Sequence, residues 1–252
     1  EARDRVGNDL DLPAEQLRLI EDVLAVATDV AVVLFAGSAI AMDPWIDRVP
    51  AVLHAWYPGE LGGVAVAEAL LGAVNPSGKL PLTFPRTALQ LPAFATFPER
   101  VTSYHEGVFI GYRHFDAAAI EPLFPFGHGL SYTEFEYSGL RVRARGRGET
   151  TRVDVHFTVR NAGRRAGAEV AQLYVRDLEA SVPRPPSELK GFAKVRLEPG
   201  ESRAVELRLG WRDLAFFDED AAAWMVEPGA FQVLVGGSSR DIRLRRRFRY
   251  RP

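Results

Sequence analysis

Residues 151–160 alternate without a break. Val153, Val155, Phe157 and Val159 fall on one parity, and Arg152, Asp154, His156, Thr158 and Arg160 on the other. A period of two with one apolar face is the signature of a half-buried strand. Asn161-Ala162-Gly163 then supplies a turn, and further strand-like runs follow at 170–175, 189–197, 203–209 and 231–235, punctuated by Pro199-Gly200 and Pro228-Gly229. Seven or so short strands over about 120 residues predict an all-β sandwich of immunoglobulin or fibronectin-III type across residues 131–252.

The first third has a different rhythm. Leu12-Pro13-Ala14-Glu15-Gln16 reads as a helix start with proline near the first turn, and Leu17, Ile20, Val23, Leu24 and Ala27 recur at helical spacing. Residues 30–36 form a continuous apolar run of strand length, as in a parallel sheet covered on both faces, and Gly37-Ser38 ends it. A second short strand is expected at 51–56, a small-residue helix at 61–71 closed by Gly72, and a third strand at 80–84. This order predicts the partial edge of an open α/β sandwich over residues 1–86. Residues 87–130 are rich in proline, glycine and aromatics, including Phe94, Phe97, Tyr104, Phe109, Tyr112, Phe115, Phe124 and Phe126. A structureless loop of that length is unusual inside a compact domain, so an extended linker packed along its neighbours is expected.

Several functions are disfavoured at once. A net charge of −2 over 252 residues offers no electrostatic reason to expect a nucleic-acid partner. The one basic stretch, with Arg243, Arg245, Arg246, Arg247, Arg249 and Arg251, reads as a solvated terminal strand in preference to a polyanion site. The absence of cysteine removes disulfides, thiolate metal sites and a cysteine nucleophile. No apolar run approaches the roughly 18 residues of a membrane span. The five histidines, His54, His105, His114, His128 and His156, lack metal-ligand spacing, and there is neither a phosphate-binding glycine loop nor a Gly-x-Ser-x-Gly elbow. No cofactor or metal is therefore expected. The chain opens on Glu1 without a signal pattern, so a missing N-terminal region is expected, with a cytoplasmic or a secreted location both open.

Four motifs occur in order: Ala55-Trp56-Tyr57-Pro58-Gly59-Glu60-Leu61-Gly62-Gly63; Asn75-Pro76-Ser77-Gly78-Lys79-Leu80-Pro81-Leu82-Thr83-Phe84-Pro85; Tyr104-His105-Glu106-Gly107 with Gly111-Tyr112-Arg113; and Phe124-Pro125-Phe126-Gly127-His128-Gly129-Leu130-Ser131-Tyr132-Thr133. Together they resemble the β-glucosidases of glycoside hydrolase family 3, and the resemblance covers essentially the whole chain. It implies a (β/α)8-type barrel, an α/β sandwich and a fibronectin-III-like domain, of which this chain looks like the end of the second and all of the third. It further implies a carbohydrate substrate, a barrel of the same protein as partner, and an aspartate nucleophile contributed by that barrel.

A retaining glycosidase needs one carboxyl to attack the anomeric carbon and another to protonate the leaving oxygen and later activate water. These groups must be near in space, not in sequence. The family's acid/base commonly lies in a Glu-Gly-x-Asp-Arg stretch shortly before a Leu-x-Leu-Pro helix start. The run Glu1-Ala2-Arg3-Asp4-Arg5 followed by Leu10-Asp11-Leu12-Pro13 is similar, which places the acid/base on Glu1 and a supporting acid–base pair on Asp4 and Arg5; Ala2 stands where the family has glycine. Glu106, between aromatics that would strip water from a carboxyl, is the weaker catalytic candidate. Glu60 at a helix start reads as structural, and Asp43 and Asp47 as turn residues. Trp45, Trp56 and Tyr57 are able to stack on sugar, but Trp45 and Trp56 are expected in cores, as are Trp211 and Trp224 in the sandwich. Three readings stand: a β-glucosidase whose other half lies elsewhere, leaving this chain alone inactive; a family member acting on another β-glycoside, such as a xyloside or glycosylated natural product; or a non-catalytic carbohydrate-binding or scaffold module.

Overall fold

A computed structural model describes residues 10–96, 101 and 103–252. They divide into two compact units: one holds residues 10–74 and 82–125, the other residues 75–81 and 126–252.

The first unit begins with α1 (Ala14–Val26), whose N-cap is Pro13. Its apolar stripe is half-buried at Leu17, Ile20 and Leu24, while Leu19 and Val26 face solvent. Strands β1 (Ala31–Leu34) and β2 (Ala51–His54) pair in parallel, Ala31 opposite Ala51 and Leu34 opposite His54. Between them Met42 and Trp45 are buried, and Asp43, in the expected turn, forms an ion pair with Arg86 at 2.7 Å. Helix α2 (Gly62–Leu70) follows. Neither face of β1 and β2 is fully covered: only Leu34 of their residues is buried. The strand expected at 80–84 does not form; Phe84 makes only an isolated antiparallel bridge to Phe124. Prolines 81 and 85 remove the amide donors a ladder there would need. The aromatic stretch that follows is not uniformly extended. Among its described residues are the 3-10 turns Ala88–Gln90 and Pro92–Thr96 and the short helix α3 (Tyr112–Ala117), which buries Phe115. Tyr104 is exposed, and Phe97 lies outside the described residues.

The second unit is the expected sandwich. Its strands are β3 (Phe135–Arg145), β4 (Arg152–Asn161), β5 (Gly167–Asp177), β6 (Glu188–Leu197) and β7 (Ser202–Gly210). After the one-turn helix α4 (Trp211–Leu214) come a small hairpin, β8 (Phe216–Asp218) with β9 (Ala223–Met225), and then β10 (Gly229–Gly236) and β11 (Ile242–Tyr250). A four-stranded sheet in the order β11-β10-β5-β6 faces a three-stranded sheet β3-β4-β7, with every pairing antiparallel. The alternation in β4 is realised: Val153, Val155, Phe157 and Val159 meet Leu173, Val175, Phe231 and Val233 in one core. Burying each such side chain contributes about 1.5–3 kcal/mol.

Trp224 departs from expectation. It sits on the β8–β9 hairpin, 39% exposed, with the Arg212 guanidinium 3.3 Å from its ring centroid and Phe217 edge-on. A three-residue hairpin outside both sheets cannot deliver a large ring to the core between them. Trp211 packs at the margin of that core and donates its indole N–H to the Tyr250 hydroxyl at 3.2 Å.

Residues 75–81 are tied to this unit by a dense polar network. Asn75 Oδ1 accepts from Ser131 Oγ (2.9 Å) and the Tyr132 amide (2.8 Å), and its Nδ2 donates to Ala166 O (2.9 Å). Lys79 Nζ lies 3.2 Å from Glu169 Oε1 and donates to Gly129 O at 3.0 Å. The Tyr137 hydroxyl donates to the same Glu169 oxygen at 3.0 Å. Gly129 must be glycine here, because a Cβ would lie 2.2 Å from Gly78 O.

Candidate functional site

Glu1, Asp4 and Arg5 lie outside the described residues. Among the described residues, two places in the first unit concentrate chemical groups.

The first is the carboxyl end of the β1–β2 pair. Ligands of open α/β sheets bind beyond the carboxyl ends of parallel strands. Just past β1 stand the exposed Phe35 and then Ser38; at and past the end of β2 come His54, Trp56 and the exposed Tyr57. The Ala55 amide donates to Leu34 O at 2.8 Å, which holds the two strand ends together. The His54 ring lies 4.2 Å from Trp56 and 5.4 Å from Phe84, centroid to centroid. Its Nε2 is 3.3 Å from Ser38 O, while the Trp56 amide donates to Nδ1 at 3.4 Å. Both contacts are met by the neutral tautomer with its proton on Nε2. Trp56 is half-buried rather than fully enclosed, and its φ of 54° is left-handed, a costly conformation for a large side chain. Strain of this kind collects where the fold holds a side chain in place for a purpose.

Burial pushes the His54 imidazole below its ordinary value of 6.5, against the opposing hydrogen bond to Ser38. In the second unit, burial and then the Lys79 charge do the same to His128, against Asp241. The unfolded chain therefore takes up these protons first as pH falls. Stability is full above pH 6.5 and declines as the pH drops below 6.5 toward the depressed native values. Urea midpoints measured between pH 7.5 and 5 are expected to fall, with a shallower slope in His54→Gln and His128→Gln. An unchanged slope in both variants would assign the pH dependence to other groups.

The second place surrounds Glu106. It lies in a turn, half-buried beside exposed His105 and Gly107. With Ser103, His105, Phe109 and His114 it lines a cavity of about 650 Å³ floored by Pro92 and the alanines that end α3. His114 Nε2 is 3.1 Å from Gln90 O, which fixes that ring. One carboxylate, two imidazoles and an aromatic ring are able to hydrogen-bond and stack on a hydroxylated ligand. Among the described residues no group of three histidines or carboxylates is arranged to hold a metal ion. Glu60 is exposed in the turn before α2, and Asp47 is exposed in the 3-10 turn Ile46–Arg48. Sequence reasoning missed His54 as a partner of Trp56: spacing tests for metal ligands are blind to an imidazole that stacks, although His54 and Trp56 stand two apart at a predicted strand end.

Residues 1–132 match the family profile described as Glycosyl hydrolase family 3 C-terminal domain, and residues 169–239 match the Fibronectin type III-like domain. The thermostable beta-glucosidase B of Acetivibrio thermocellus is 48% identical over 239 residues, which cover 94% of this chain and 31% of that protein. An exo-alpha-(1->6)-L-arabinopyranosidase of Bifidobacterium breve is 42% identical over 235 residues, covering 92% of this chain and 31% of that one. Among solved structures, beta-glucosidase 3B of Thermotoga neapolitana in complex with alpha-D-glucose superposes with a TM-score of 0.91 at 39% identity, over 98% of this chain and 35% of that chain. The chain thus spans about a third of the length of the relatives it matches.

Proposed function

The chain belongs to glycoside hydrolase family 3, and from that membership we propose that it is the C-terminal portion of a retaining β-glucosidase. The enzyme removes terminal β-D-glucosyl residues by double displacement. This portion supplies the acid/base, Glu1, oriented by Asp4 and Arg5, while the nucleophile comes from the remainder of the protein. The observation that carries the reading is the 48% identity to a β-glucosidase across 94% of the chain. The aromatic groups at the carboxyl ends of β1 and β2 suit a sugar-binding edge, since ring faces stack on the apolar face of a pyranose.

The 42% identity to an arabinopyranosidase favours a second reading, in which the same C-terminal architecture serves another glycone. The comparison that separates them is kcat/KM of the full-length protein on p-nitrophenyl β-D-glucopyranoside, β-D-xylopyranoside and α-L-arabinopyranoside. A preference for glucoside by about tenfold or more, equivalent to about 1.4 kcal/mol of differential transition-state binding, supports the first reading. A preference for another sugar establishes the second.

The purified 252-residue chain alone is expected to release no p-nitrophenol from any of these substrates, because on this reading it holds one of the two required carboxyls. Turnover above the buffer rate that co-purifies with the chain would overturn the division of labour.

A further inference from the structure

At one seam of the sandwich, the end of β3, the turn after it and the end of β11 enclose a cavity of about 440 Å³ lined by Arg145, Arg147, Arg249 and Arg251 with Thr151 and Tyr250. No carboxylate lines it among the described residues. Among the described residues Arg145 has only a 3.7 Å contact to Asp154, and Arg249 only a 3.6 Å contact to Glu179, both long for a charge-assisted hydrogen bond. Arg147 and Arg251 have no ion-pair partner among the described residues. Thr151 is a separate anomaly. It is 3% exposed, and its Oγ1 is buried without a hydrogen-bond partner. A buried hydroxyl is rarely left unmet, because the lost hydration is not returned.

We propose that this seam binds a doubly charged oxyanion, a phosphate or sulfate group free or esterified, held by the guanidinium forks with the Thr151 hydroxyl as an added donor. Four arginines line the cavity, two of them only loosely met by a carboxylate. Such an excess of positive charge selects a multivalent anion over a monovalent carboxylate, and guanidinium geometry matches a tetrahedral oxyanion in two-point contacts. Edge-strand protection accounts for Arg245 and Arg247, which project from β11 outside this cavity. It does not account for arginines from two distant segments lining one cavity together with Thr151, whose hydroxyl has no partner among the described residues. The turn is shaped to allow the approach: Gly146 has φ 76°, and a Cβ there would lie 2.5 Å from Thr150 O.

The test is titration of the 252-residue chain with sodium phosphate and sodium sulfate at constant ionic strength set by chloride, followed by backbone amide shifts and calorimetry. Saturable 1:1 binding is expected, with shifts confined to residues 144–151 and 249–251. Arg147→Gln and Arg251→Gln should each weaken binding by about tenfold, the loss of one charge-assisted contact. Thr151→Val should weaken it less. Arg245→Gln, about 13 Å along the strand from Arg249, should change it by less than about twofold. A sulfated disaccharide separates the sources. Tighter binding than free sulfate assigns the site to an ester, and equal or weaker binding assigns it to the free ion. Absence of saturation, or equal loss in Arg245→Gln and Arg147→Gln, would overturn the proposal in favour of diffuse positive charge.

Discussion

In the full-length protein, Glu1→Ala is expected to lower kcat/KM on cellobiose by about 10²–10⁴-fold, the usual contribution of a positioned general acid. On 2,4-dinitrophenyl β-D-glucopyranoside the loss in kcat/KM should be small, because that leaving group departs without a proton. The base half of the role then shows in the second step. With water unassisted, the glycosyl–enzyme intermediate should accumulate. Azide, which needs no base, should restore turnover of the activated substrate and give a β-glucosyl azide, whose retained configuration reports double displacement. Equal losses on both substrates, without azide rescue, would mean that Glu1 serves folding or binding instead. Glu106→Gln is the companion variant: if it shows the leaving-group pattern and Glu1→Ala does not, the acid role moves to the cavity beside α3.

The second large effect concerns stability. Lys79→Met should lower the unfolding free energy by about 3–5 kcal/mol, because it strands a buried carboxylate. The side chains of Lys79 and Glu169 are only 14% and 7% exposed. The Tyr137 hydroxyl, pushed up first by burial and then by the Glu169 charge, stays protonated and continues to donate to Glu169, but one neutral donor does not replace an ammonium. Replacing the whole set, Lys79→Met with Glu169→Leu and Tyr137→Phe, should recover much of the loss, since apolar side chains of similar volume leave nothing unpaired. Urea midpoints at unchanged m-value provide the measurement. A cost below about 1 kcal/mol for Lys79→Met would place the pair among exposed ion pairs.

What could be read in advance follows from the range of the interactions. The strict alternation of β4 is a local signal, and every apolar residue it marks is in the core. The parallel pair β1–β2 was likewise visible as two short apolar runs ended by turn residues. The run at 80–84 misled because its apolar content is that of a strand, while Pro81 within it and Pro85 after it leave too few donors for a ladder. Trp224 misled because ring size argues for burial, and only the third dimension shows a hairpin standing outside both sheets. The acid/base assignment rests on motif register alone. The arginine cavity was beyond reach: Arg147 and Arg251 are about a hundred positions apart, and the basic run of β11 looks the same whether or not β3 ends beside it. The four ordered motifs, by contrast, identified the family without any geometry.

Residues 75–81 belong to the unit that holds the sandwich, whereas the chain on either side of them belongs to the other unit. No single cut in the gene therefore isolates the sandwich whole. A protein started at residue 126 would lack Asn75 and Lys79, leaving Ala166 O, the Ser131 hydroxyl and Glu169 without those partners. Recombination that transplants the sandwich as a cassette would carry the same defect. In evolutionary terms the two regions are interleaved rather than concatenated, and natural shuffling would have to move them together.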